Sequence, residues 1–133
     1  MIDIEQEIFK RIRTAVVAVY TGAVVYGEYV SNPTSFPAIM VQEIANNTYT
    51  AGQTTNKMEN YGVVAYQIDI FTNGGTKKET CKSIAKIIDG VLLDLKFSRG
   101  MLNKISNEEG VDIYHIVGRY DAIVDEAYRI YAS

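Results

Sequence analysis

Residues 61–72 read Tyr61-Gly62-Val63-Val64-Ala65-Tyr66-Gln67-Ile68-Asp69-Ile70-Phe71-Thr72, and the spacing of the apolar side chains fixes the class of the structure. Val64, Tyr66, Ile68 and Ile70 share one face of an extended chain. Val63, Ala65, Gln67, Asp69 and Phe71 share the other. Asn73-Gly74-Gly75 breaks the strand, and the period then changes from 2 to 3.6. Thr76-Lys77-Lys78-Glu79 has the form of a capping box. The stripe that follows, Cys81, Ile84, Ala85, Ile88, Val91, Leu92 and Leu95, predicts a helix to about Lys96.

Outward from this pair, residues 3–20 predict an amphipathic helix. Asp3 is the expected N-cap, with Gln6 three residues on, and Ile4, Ile8, Ile12, Ala15, Val16 and Val19 form the stripe. Residues 23–30 suit a short strand. Residues 31–37 hold both prolines, Pro33 and Pro37, and read as a loop. A strand is expected over 38–44. Residues 45–60 are polar, nearly uncharged and turn-prone, which is long for a mere connection. Residues 97–107 predict a strand bent at Gly100, 107–110 a turn, and 111–131 a β-rich end with a bend at Asp125-Glu126. The order α-β-β-β-α-β-β predicts one α+β domain over 1–133, with two helices on one face of a mainly antiparallel sheet.

The chain has 133 residues, 47% apolar and 22% charged, with a net charge of −3. That composition excludes intrinsic disorder and disfavours a basic nucleic-acid binder. No apolar run is long enough to cross a bilayer, and the acidic start has no signal-peptide pattern. One cysteine and one histidine exclude an internal disulfide and a His-rich metal site. Cys81 lies on a helical apolar stripe, where a free cysteine is a small core residue. His115 with Asp121 or Glu126 would make half a triad, but no serine elbow completes it; a surface or subunit-contact role fits better. Asn73 to Lys78 opens a helix without a P-loop or dinucleotide fingerprint, leaving weak anion affinity there. Asp121, Asp125 and Glu126 fit no calcium loop. No catalytic residue, cofactor or metal is expected. Ten tyrosines without a tryptophan suit half-buried sheet faces or subunit contacts.

Three stretches resemble the tail terminator (tail completion, minor capsid) proteins of long-tailed bacteriophages and prophages. They are Pro37-Ala-Ile-Met-Val-Gln-Glu43 before the polar segment, Tyr66-Gln-Ile-Asp-Ile-Phe-Thr-Asn73 leading to the helix and Leu95-Lys-Phe97, and Ile113-Tyr-His-Ile-Val-Gly-Arg-Tyr120. The chain departs from the family pattern at His115, where arginine is common, and at Lys96, where glycine precedes the phenylalanine. The resemblance implies a ring, commonly a hexamer, that caps the head-proximal end of the tail tube, stops tube growth and joins the head-completion or stopper protein. DNA then passes through the lumen without specific binding, no membrane is involved, and the protein resides in the virion tail after assembly in the host cytoplasm. Six copies at −3 each carry −18, and an anionic lumen repels DNA phosphate. Subunit or tube contacts are expected from Asn47, Tyr49, Gln53, Lys57 and Met58 in the polar segment. Further contacts are expected from His115, Arg119, Tyr120 and Tyr128 in the β-rich end. The rival readings are a head–tail connector or stopper and a small cellular α+β enzyme or ligand-binding domain.

Overall fold

The computed structural model describes residues 2–48, 61–105 and 111–131. The elements are α1 (Glu5–Val19), β1 (Val24–Tyr26), β2 (Ala38–Thr48), β3 (Tyr61–Asn73), α2 (Lys77–Asp94), β4 (Ser98–Ile105), β5 (Ile113–Asp125) and β6 (Ile130–Tyr131). The α+β class and the element order stand as expected. The sheet runs β1-β2-β3-β5-β4, with β6 on β5; only β1 and β2 are parallel.

Period-2 alternation places Val64, Tyr66, Ile68 and Ile70 of β3 on the helix side. Ile39 and Val41 of β2 and Ile116, Tyr120, Ala122 and Val124 of β5 join them. Ile8, Ile12 and Val16 of α1 and Cys81, Ile84, Ala85, Ile88 and Leu92 of α2 close the core from above. Val19, expected in the α1 stripe, is 61% exposed because the helix ends there. Gly118 lies in the same layer. A Cβ there would meet Leu102 Cδ1 and Tyr120 Cε1, each at 3.0 Å, so the tyrosine ring covers the glycine.

Neither expected capping box forms. Ile4 is the N-cap of α1 and makes no side-chain cap bond; Asp3 Oδ1 instead accepts from the Glu5 N–H at 3.1 Å. Thr76 makes no cap bond either, while the Thr72 hydroxyl donates to the Lys77 carbonyl at 2.6 Å. A lost cap costs about 1 kcal/mol, whereas burying one isoleucine contributes about 1.5–3 kcal/mol. Packing therefore holds these helices. The C-terminus of α2 is built more carefully. Phe97 N–H bonds Leu92 O at 2.9 Å and Lys96 N–H bonds Leu93 O at 3.0 Å, with Phe97 and Leu92 both buried. This is a Schellman ending, with Lys96 at φ 72 in the left-handed position that favours glycine.

Two strands differ from expectation. β1 is confined to Val24–Tyr26, because residues 27–37 must travel back to set β2 parallel to it. On that return, Val30 N–H donates to Met40 Sδ at 3.3 Å, which covers part of the helix-free face. β2 continues past Ile44 to Thr48, through a bulge between Glu43 and Ala45. The start of the polar segment is thus strand: Asn46, Asn47 and Thr48 pair with Val64, Val63 and Gly62. Asn46 is further pinned by bonds to Ile2 O at 2.8 Å and Glu43 Oε1 at 3.1 Å. Gly100 makes the expected bend, as a bulge between Arg99 and Met101. The turn expected at 107–110 lies outside the described residues.

Lys96→Gly removes the left-handed penalty of a residue bearing a Cβ, which is about 1–2 kcal/mol before the extra entropy of glycine in the unfolded chain. The expected net gain is about 1 kcal/mol, seen as a rise of roughly 3–6 °C in melting temperature.

Candidate assembly surface

The helices cover one side of the sheet and leave the other. Along that second side, the register sets Gln67 opposite Arg119, Asp69 opposite Val117 and Phe71 opposite His115. Their side chains form a continuous string. The Arg119 Nε donates to Gln67 Oε1 at 3.0 Å, and Gln67 Nε2 donates to Asp69 Oδ1 at 3.0 Å. His115 Nε2 donates to Asp69 Oδ2 at 2.8 Å, which fixes the proton on that nitrogen beside an acceptor-only carboxylate. The imidazole also stacks on Phe71, with centroids 4.0 Å apart and planes 22° apart. The string runs from exposed Arg119 inward to buried Asp69.

His115 is therefore a correction to the surface reading. It lies on the expected face, but only 13% of its side chain is exposed and both of its partners belong to this chain. Tyr120 is a second correction. It is 2% exposed, in the helix-side core, and its hydroxyl donates to Asp89 Oδ1 at 2.7 Å. Arg99 holds the other Asp89 oxygen at 3.1 Å. Arg119 and Tyr128 are exposed, and Asn47 is exposed at the outer end of β2. Tyr49, Gln53, Lys57 and Met58 lie outside the described residues.

Tyr128 is presented by a turn organised on one carboxylate. Asp125 Oδ1 accepts the Ala127 and Arg129 N–H groups, each at 2.9 Å. Its Oδ2 accepts Arg129 Nε and the Tyr131 hydroxyl, each at 2.9 Å. Tyr128 sits at φ 62 within this turn and is 62% exposed. Desolvation pushes the Asp125 carboxyl up, but the bonds from Arg129 and Tyr131 outweigh it and hold the group below its ordinary 3.8. Asp125 is thus consumed by its own turn.

The other chemical candidates are also accounted for internally. Cys81 is fully buried, its thiol near the Ile70 carbonyl at 3.5 Å, and burial raises its pKa to about 11. The anion site suggested before α2 is filled by the chain itself. Asp112 accepts from the Gly74 N–H at 3.1 Å and pairs with Lys77 at 3.0 Å, and these contacts hold its carboxyl below the usual value. A cleft of about 830 Å³ opens between the start of α1, the α2–β4 turn and the β5–β6 turn. Its arginines are already paired, Arg11 with Glu7 and Arg129 with Asp125. No helix among the described residues is long and apolar enough to cross a membrane.

No protein-family model matches this chain, and no curated protein matches it.

Alternation puts Asp69 and Phe71 on the helix-free face, but nothing in the sequence pairs them with His115. Replacing His115 with alanine leaves Asp69 buried with Gln67 as its remaining side-chain partner. The expected cost is about 1–3 kcal/mol in urea unfolding; an unchanged midpoint would refute this role. Asp125 gives a pH signature. Its folded-state value is depressed, so its contribution is present above the unfolded value of 3.8 and is lost as pH falls through the folded one. Asp125→Asn should melt lower than the parent at pH 6, and the gap should narrow progressively as pH falls below 3.8.

Proposed function

We propose that the chain is a structural subunit of a phage or prophage tail terminator, a non-catalytic ring that caps the head-proximal end of the tail tube. The reading rests first on the resemblance in residues 37–43, 66–73 and 113–120. The observation that best supports it is the division of the sheet. One face is committed to the protomer's helices. The other carries Arg119, Gln67 and flanking apolar residues without a helix, and the β2–β3 ladder runs outward to Thr48↔Gly62. A face of this kind suits a neighbouring subunit, and the outer end of the β2–β3 ladder suits a contact that is completed only in an assembly.

In this function the work is geometric. Each subunit uses a heterologous contact that its neighbour satisfies, so the ring closes and growth stops. The upper surface receives the head-completion protein, the lower surface the tube protein. The acidic charge keeps DNA from sticking as it passes. Arg119, Tyr128 and, at the outer end of β2, Asn47 are the contact residues that remain exposed within the described part of the chain.

Inactivating the gene in the phage or prophage that carries it should give overlong tubes and separate DNA-filled heads in electron micrographs. Tails of normal length beside emptied heads would favour the connector or stopper reading. Normal virions would refute a role in tail completion. Replacing residues 49–60 by a short Asn-Gly turn should leave thermal stability near that of the parent and still reproduce the overlong tubes.

A further inference from the structure

We propose that Asn73 is a deamidation site held shut by the bond between the Gly74 N–H and the Asp112 carboxylate, and that this site is independent of the assembly role. Asn73 is the one asparagine of the sequence that is followed by glycine. Glycine has no Cβ to shield the nitrogen that would attack the asparagine side chain. Asn73 is exposed at the end of β3, and Gly74 and Gly75 are exposed after it. Gly74 stands at φ 88, and a Cβ built there or on Gly75 would meet nothing within 4 Å. The turn is therefore open to water.

Water is the only co-reactant. The Gly74 nitrogen attacks Asn73 Cγ and closes a succinimide ring. The Gly74 N–H proton is given up, and the side-chain nitrogen leaves as ammonia. Water then opens the ring. Attack at Cγ breaks the bond just formed and leaves aspartate. Attack at the Asn73 main-chain carbonyl breaks the original peptide bond and leaves isoaspartate, with the chain routed through Cγ. In sum a water is consumed and an ammonia is released, with no change of oxidation state.

The fold puts a clasp on the attacking nitrogen. Gly74 N–H donates to Asp112 Oδ2 at 3.1 Å, and Lys77 Nζ pairs with Asp112 Oδ1 at 3.0 Å. The Lys77 N–H bonds the Gly74 carbonyl at 3.2 Å, and the Thr72 hydroxyl holds the Lys77 carbonyl at 2.6 Å. The β3–β5 ladder ends at Asn73↔Ile113, so β5 delivers Asp112 to this turn. Bonds from Lys77 and from the Gly74 N–H hold the Asp112 carboxyl below its ordinary 3.8, so at neutral pH it only accepts. An N–H given to an anion is harder to deprotonate, and its peptide group is held in one orientation. Attack therefore waits for the turn to open, and an exposed turn opens far more readily than the whole fold. Conversion then prevents reclosing. Aspartate adds a second negative charge near Asp112, and isoaspartate lengthens the main chain at the last β3–β5 pair.

The test incubates the full chain in warm, mildly alkaline buffer, folded and in urea, and follows residue 73 by peptide mass mapping with ammonia release in parallel. The unfolded parent should convert at Asn73, and the folded parent many-fold more slowly. Folded Asp112→Ala should convert several-fold faster than the folded parent. An exposed ion pair adds little to global stability, so this variant should melt near the parent. Lys78→Met removes an exposed charge from the same end of α2 without touching the clasp, and it should convert as the parent does. If Asp112→Ala fails to fold, Asp112→Asn, which loses the charge and keeps the shape, carries the same comparison. Absence of conversion at Asn73 in the unfolded parent would overturn the site. Equal rates for the folded parent and the Asp112 variant, or a Lys78→Met rate as high as that variant's, would overturn the clasp.

Discussion

The pairing of β3 with β5 is the constraint on which the rest of the structure depends. It runs without interruption from Tyr61↔Asp125 to Asn73↔Ile113. This register stacks Ile70 beside Ile116 and Tyr66 beside Tyr120 under the helices. It also sets Phe71 beside His115 on the opposite side. A slip of one residue would carry Ile68 and Ile70 to the helix-free face and bring Asp69 into the core. The polar string Arg119, Gln67, Asp69 and His115 forms only in this register, so it pins the alignment as well as lining the surface.

The two faces have different chemistry for this reason. The helix side is an isoleucine-rich core in which even Tyr120 and Cys81 are enclosed. The other side mixes buried Asp69 with exposed Arg119, half-buried Gln67 and the stacked Phe71–His115 pair. Several carboxylates elsewhere are engaged by near neighbours: Asp112 by Gly74 and Lys77, Asp125 by its own turn, Asp89 by Tyr120 and Arg99. These three carboxylates brace turns and element ends, which is compatible with the structural role proposed.

Much of the fold was legible because it rests on periodicity. The alternation of Val64, Tyr66, Ile68 and Ile70 and the stripe from Cys81 to Leu92 both bury as their spacing requires. The extension of β2 was not legible, since Asn46-Asn47-Thr48 is poor strand sequence held by Val63 and Val64 across the ladder. The parallel β1 and the chain return over Met40 have no sequence signal. Tyr120 is a core residue because its spacing from Ile116, Ala122 and Val124 puts it on the helix side, against the interface role that tyrosine enrichment suggests. The Asp69–His115 bond joins residues 46 apart and needs a register that no local pattern supplies. Lys96 is the opposite case. Its φ of 72 is the left-handed conformation that favours glycine, the residue expected at this position from the resemblance.

The central claim is that this chain forms a closed ring at the head-proximal end of a phage tail. The most direct measurement is cryo-electron microscopy of tails purified from the phage or prophage that carries the gene. The account expects a ring of this chain seated on the last layer of tube subunits, with Arg119 and the outer end of the β2–β3 ladder against neighbouring chains. Density for the chain inside the capsid shell, or its absence from finished tails, would contradict it.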